Sequence, residues 1–221
     1  MSAPTDRESP PQATGGRALS GTGLARGSLL VMGGFVLSRA MGFIREGVTG
    51  AVFGQGAIYD AFVFAARPSE TIFYVVAGGA LGSAFIPVFT QYLAQHEEDN
   101  AWRLANAITY LISLIVLALS ILMFIFAGPL MRGIIAADAA ASTQDLAIQL
   151  LRIMLITPTI FAISGLQMGV LNAYQRFLLP ALAPTLYNIG IVIGALVFAP
   201  FIDIYGLAWG AVLGSLLHLL I

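Results

Sequence analysis

Residues 104–131 read LANAITYLISLIVLALSILMFIFAGPLM, a stretch without a single Asp, Glu, Lys or Arg. A helix crosses the hydrocarbon core of a bilayer in roughly 20 mostly apolar residues, because each residue rises about 1.5 Å. This stretch is long enough to cross and too uniformly apolar for a helix with one face in water. Working outward, 153–175, 177–202 and 204–221 are equally free of charge. Residues 71–95 form a fifth such run, and 28–54 a sixth, apolar except for Arg39, Arg45 and Glu46. The expected fold is therefore an all-α integral membrane bundle of about six transmembrane helices, near 28–54, 59–94, 103–128, 143–173, 179–200 and 205–221. The second is too long for a simple span, and Pro68, Gly78, Gly79 and Pro87 predict that it is bent or broken. Pro158 predicts a kink in the fourth. Ser142 followed by Asp145 resembles a capping box at that helix's start.

Composition agrees. Of 221 residues, 58% are hydrophobic and only 10% charged, against about 25% charged in a typical soluble domain; mean hydropathy is +0.89. A net charge of −1 offers no basic field for nucleic acid. Cysteine is absent, every basic residue is Arg, and the two His, at 96 and 218, are too far apart in sequence to suggest a metal site. No motif of a soluble enzyme is present, no cofactor is implied, and the chain is not expected to be an enzyme. Residues 1–27, rich in Pro, Ser, Thr and Gly, are expected to be a disordered cytoplasmic tail, and 28–221 a transmembrane unit. The sixth run stops at Ile221 without a closing flank, which reads as a helix cut short.

Arg placement sets the expected orientation. With the N-terminus inside, Arg7, Arg17, Arg26, Arg103 and Arg176 fall on the cytoplasmic side, while Arg132, and Arg152 at a helix edge, fall outside, as the positive-inside rule asks. Gly206, Gly210 and Gly214 recur every fourth residue, as do Gly165 and Gly169. Such faces let helix backbones approach closely, and packing is the expected role.

Six ionisable residues sit in or beside the first two helices: Arg39, Arg45, Glu46, Asp60, Arg67 and Glu70. A charge at the centre of an inserted helix costs roughly 2.5–3.5 kcal/mol on insertion scales, so these residues should face protein or a watery cavity. Arg39 and Glu46, seven apart, share a helix face; so do Asp60 and Arg67. Arg67 and Glu70, at i and i+3, can pair, while Arg45 points toward a neighbouring face. Two readings stay open on spacing: internal salt bridges that lock two helices, or a hydrophilic cavity in which the Arg fork holds an anionic substrate such as a phosphate.

The stretch Ser38-Arg39-Ala40-Met41-Gly42-Phe43-Ile44-Arg45-Glu46 resembles the first helix of the MurJ/MviN family of lipid II flippases, where S-R-x-x-G-F-x-R-[DE] is characteristic. The resemblance continues through Phe53-Gly54, Asp60-Ala61-Phe62, Arg67-Pro68, Ala84-Phe85-Ile86-Pro87, Asn172-Ala173-Tyr174-Gln175-Arg176-Phe177 and Pro180-Ala181-Leu182-Ala183-Pro184 to Asn188. Several motifs in order, from about residue 28 to the end, make it specific.

What the resemblance implies is the first, N-terminal lobe of a two-lobe exporter fold of fourteen helices. Such a protein lies in the bacterial cytoplasmic (inner) membrane as a multi-pass protein with its N-terminus cytoplasmic. It moves the lipid-linked peptidoglycan precursor, lipid II, across that membrane by alternating access. The implied partners are a lipid-linked pyrophosphate substrate, membrane lipids and the missing C-terminal lobe of the same protein; nucleic acid is not among them. By position, Arg39, Arg45, Glu46, Asp60 and Arg67 match charged family positions and are the candidate substrate-binding residues, with Arg45 the first candidate for the pyrophosphate. Many family members carry an Arg-Arg pair and then Glu-Gly after the second helix's Pro. Here Ser69-Glu70-Thr71 and Gly78-Gly79 stand instead, so the cavity carries less positive charge. The alternatives are another lipid-linked polysaccharide flippase, a MATE-like exporter, or a structural membrane module whose charges only pair with one another.

Overall fold

The structure, a computed structural model, describes the backbone of residues 21–75 and 84–221. Among the described residues the chain is helical, with short connections. In order come α1 (Gly21–Phe53), α2 (Ala57–Val75), α3 (Ile86–Ala94), α4 (Glu98–Ile125), α5 (Ala127–Leu130), α6 (Ala141–Met154), α7 (Ile156–Ala173), α8 (Leu178–Ile193), α9 (Ala199–Ile202) and α10 (Tyr205–Leu220). Among the described residues three helical lengths are long and apolar enough to cross a membrane: Glu98–Ile125, Ala141–Ala173 and Leu178–Ile202; Tyr205–Leu220 is a shorter apolar helix. The first helix begins at Gly21, inside the stretch 1–27 expected as tail; residues 1–20 lie outside the described residues. α2 and α3 stand at the two ends of the expected 59–94 helix, and Gly78 and Gly79 lie outside the described residues.

The bundle is inverted relative to a soluble one. Large apolar side chains cover its outside: on α4, Tyr110, Leu111, Leu114, Ile121, Leu122 and Ile125 are all exposed. The inside mixes large side chains, among them Phe85, Phe89, Leu150, Leu151 and Leu207, with many small ones, among them Ala61, Ala65, Ala105, Ala147, Ala208 and Ala211, and with buried Thr49, Ser120, Thr143 and Ser164. Lipid tails are as apolar as Leu, so burying Leu between helices gains little in a bilayer beyond its packing contacts, and the small residues add the close approach of helix to helix.

The α8–α10 contact is the closest case. A Cβ on Gly194 would lie 2.8 Å from the Cα of Gly210, and one on Gly210 would lie 2.8 Å from both the Gly190 carbonyl oxygen and the Gly194 Cα. On Gly206 it would lie 2.7 Å from the Gly194 carbonyl oxygen. No L side chain fits there, so Gly206, Gly210 and Gly214 pack as expected, and the partner glycines are Gly190 on α8 and Gly194 in the π-helical turn that follows it. α1 is seated the same way: a Cβ on Gly34 would come 2.7 Å from the Ala181 Cβ of α8.

Prolines set the breaks. Pro158 has no N–H to offer the Met154 carbonyl, and the helix interrupts at Leu155, between α6 and α7. The orphaned carbonyl is taken by the Thr157 hydroxyl, which donates to it at 2.8 Å. A π-helical turn over Gly194–Phe198 precedes Pro200 in α9, consistent with a ladder that must absorb another missing N–H. The capping box does not form. α6 starts at Ala141 with no side-chain cap, because Asp145 instead accepts a 2.7 Å hydrogen bond from Arg132, an ion pair that ties the helix start to the turn after α5.

The connections sort to two ends. At one end Phe89 of α3 meets the rings of Trp102 and Tyr174, each at 6.1 Å, so the α3–α4 and α7–α8 corners lie together. At the other, the α1–α2 corner and the segment after α5 share a cavity lined by Ala57, Asp60, Ile134 and Asp138.

Candidate functional site

A cavity of about 630 Å³ opens between α1, α2, α7, α8 and α10. Its α1 wall carries Phe35, Ser38, Arg39, Gly42, Arg45 and Glu46. At about 100° per residue these positions, with Phe43, sweep an arc of roughly 160°. Arg39 and Arg45 therefore face one cavity from different parts of a wide arc, where spacing alone assigned Arg45 to a neighbouring face. α2 adds Ser69, Glu70 and Tyr74. The opposite side is uncharged: Thr157 and Phe161 from α7, Tyr187 and Asn188 from α8, and His218 from α10.

The charges are only partly matched. Arg45 Nη2 lies 3.3 Å from Glu46 Oε1. Neighbours in sequence do not face each other on a helix, so this contact needs the Arg stem to fold sideways. Arg39 is exposed to the cavity and makes no ion pair among the described residues. Glu70 lies within electrostatic reach of Arg45; the expected Arg67–Glu70 pair does not form among the described residues. Three of the five candidate residues, Arg39, Arg45 and Glu46, are thus brought to one cavity. Asp60 lies instead in the second cavity, of about 430 Å³, at the α1–α2 corner. Arg67 lies over the Phe64 ring, 5.4 Å from its centroid, a cation–π contact that holds the charge against its own helix.

Arg152 is also handled in this way. It falls inside the membrane-capable length Ala141–Ala173 and stacks over Phe124 at 5.1 Å. The uncharged side of the cavity was not readable from the sequence. Asn188, Tyr187 and His218 are single residues in apolar runs and become a group only when α8 and α10 close on their glycines. One signal existed: a lone His and a lone Asn within spanning stretches are costly to insert without a purpose.

Comparison with known proteins gives the following. A family profile described as Lipid II flippase MurJ matches residues 50–221. The lipid II flippase MurJ of Burkholderia cenocepacia is 31% identical over 205 residues, covering 90% of this chain and 39% of that protein. A probable lipid II flippase MurJ of Bdellovibrio bacteriovorus is 32% identical over 201 residues, covering 89% and 38% respectively. A solved lipid II flippase MurJ in an inward closed conformation superposes with a TM-score of 0.73 at 27% identity, over 87% of this chain and 40% of that one. A MOP superfamily transporter from Pyrococcus furiosus superposes with a TM-score of 0.66 at 17% identity, a likeness of fold alone. The chain spans about two fifths of the length of the curated relatives it matches.

Proposed function

The chain belongs to the lipid II flippase MurJ family, and from that premise we propose that it forms the first lobe of a flippase for the lipid-linked peptidoglycan precursor in the bacterial cytoplasmic membrane. The observation that carries the reading is the pair of guanidinium groups, Arg39 and Arg45, on one wall of a cavity of about 630 Å³. An anionic headgroup cannot cross hydrocarbon unaided; it needs a polar, cation-lined path, and two Arg forks suit pyrophosphate oxygens. Glu46 trims the charge of Arg45 so that the anion is held and then released. The other wall of the path belongs to a C-terminal lobe, against which this lobe rocks in alternating access. The N-terminus lies in the cytoplasm, following the Arg bias.

The test uses the full-length protein in cells depleted of their own flippase. Arg45→Ala should abolish rescue at normal membrane abundance, and Arg45→Lys, which keeps the charge and loses the fork, should retain partial rescue. Full rescue by Arg45→Ala would overturn the role. The 3.3 Å contact with Glu46 favours a second reading, a purely structural pair. In that case Arg45→Ala would lower abundance, and the double change with Glu46→Ala would restore both abundance and rescue.

A further inference from the structure

His218 is held in a way that the anion path does not require. It is almost fully buried on α10, packed edge-on to Phe161 at 5.2 Å, and lines the cavity. Ser164 Oγ lies 2.6 Å from its Nδ1 and 3.0 Å from its backbone carbonyl oxygen. A serine has one hydroxyl hydrogen, and a carbonyl only accepts. Both contacts are satisfied together only if Ser164 donates to the carbonyl and accepts from Nδ1–H. His218 pairs with no carboxylate among the described residues, and it sits there as the neutral imidazole. With the proton fixed on Nδ1, Nε2 is an open acceptor, and no hydrogen bond to it occurs among the described residues. Nε2 is therefore the ring nitrogen left with an unshared lone pair, on a residue that lines the same cavity as Arg39 and Arg45.

We propose that His218 is a substrate-contacting specificity residue. Its Nε2 accepts a hydrogen bond from a neutral hydroxyl or amide N–H in the sugar–peptide part of the headgroup, while the arginines lining the same cavity hold the anion. Ser164 is the positioning residue that fixes the tautomer. The cavity then reads two parts of one ligand, which separates a saccharide-bearing lipid from a bare polyprenyl pyrophosphate. This assignment rests on the flippase reading, and the probes are chosen so that the two fail differently.

The experiment titrates lipid II and undecaprenyl pyrophosphate against the purified full-length protein in detergent. His218→Ala should weaken lipid II binding by about tenfold, the equivalent of one lost hydrogen bond of ~1.4 kcal/mol, and change undecaprenyl pyrophosphate binding by less than about twofold. His218→Gln, whose amide oxygen can accept at a similar reach, should stay within about threefold for both lipids. Ser164→Ala keeps the imidazole but frees the tautomer, and should weaken lipid II selectively. An independent readout is the ¹⁵N spectrum of labelled histidine, assigned by difference with His218→Gln: wild type should carry its proton on Nδ1, and Ser164→Ala should show a mixture. Equal weakening of both lipids, no weakening of either, or a proton on Nε2 in the wild type would overturn the His218 assignment alone. Failure of the wild type to bind either lipid would overturn the flippase reading, and this assignment with it.

Discussion

Thr157 illustrates how single residues pay for breaks in a membrane helix. Its hydroxyl donates to the Met154 carbonyl at 2.8 Å, the group that Pro158 leaves without a backbone donor. Thr157→Val keeps the shape and removes the donor in a buried place. We expect a loss of about 1 kcal/mol, within the range of hydrogen bonds inside membrane proteins, measured by denaturant or thermal unfolding in detergent; Thr157→Ser should stay near wild type. A Thr157→Val variant as stable as wild type would mean that the carbonyl finds another donor. The exposed Arg132–Asp145 pair contrasts with it, since exposed pairs contribute ~1 kcal/mol or less. Residue chemistry of this kind was half legible. Pro158 announced a kink. That Thr157 caps it depends on a rotamer, and that Asp145 takes Arg132 in place of a helix cap depends on a turn after α5 that carries no sequence signature.

At the scale of elements, the charge-free runs were readable because a bilayer asks one simple thing of a helix, an apolar length. α4, the α6–α7 length and the α8–α9 length follow from it directly. Which helix lies on which was less legible. Gly206, Gly210 and Gly214 marked a packing face on α10, but its partner had to come from the fold: Gly190 of α8 and Gly194 of the turn after it, with backbone atoms 2.8 Å from where a Cβ would sit. Contacts of backbone on backbone leave no side chain to move aside. Gly210→Val should therefore destabilise the fold by more than the ~1–3 kcal/mol typical of overpacked cores and lower the folded yield of the full-length protein at least tenfold. Gly133→Val, where nothing lies within 4 Å, should leave yield close to wild type. Size-exclusion profiles of the two variants in detergent check the contrast, and similar profiles would contradict the seam.

The whole molecule sorts its connections to two ends, and the absence of native cysteine makes that testable in living cells. Single cysteines at Gln55 and Ala139 belong to one end and Gln95 to the other, as the shared cavity at the α1–α2 corner and the ring cluster around Phe89 require. If the N-terminus is cytoplasmic, a membrane-impermeant thiol reagent should label the first two and spare the third. Labelling only Gln95 would reverse the orientation while keeping the fold; labelling Gln55 but not Ala139 would contradict the arrangement of helices. At this scale the sequence indicated that charges in the first helix needed a polar place. It did not divide them, because the division depends on where helices cross: Arg39, Arg45 and Glu46 share the larger cavity, Asp60 lies at the α1–α2 corner, and Arg67 rests on Phe64.

The glycine seam has a genetic side. Every missense change of a glycine codon, whatever base is altered, adds at least a β-carbon, and at 190, 194, 206, 210 and 214 that carbon would enter the backbone of the facing helix. These five codons should have no mild alleles, whereas those for the exposed leucines of α4 should tolerate Ile, Val, Met and Phe. The positions least able to accept any substitution are thus residues with no side-chain chemistry at all.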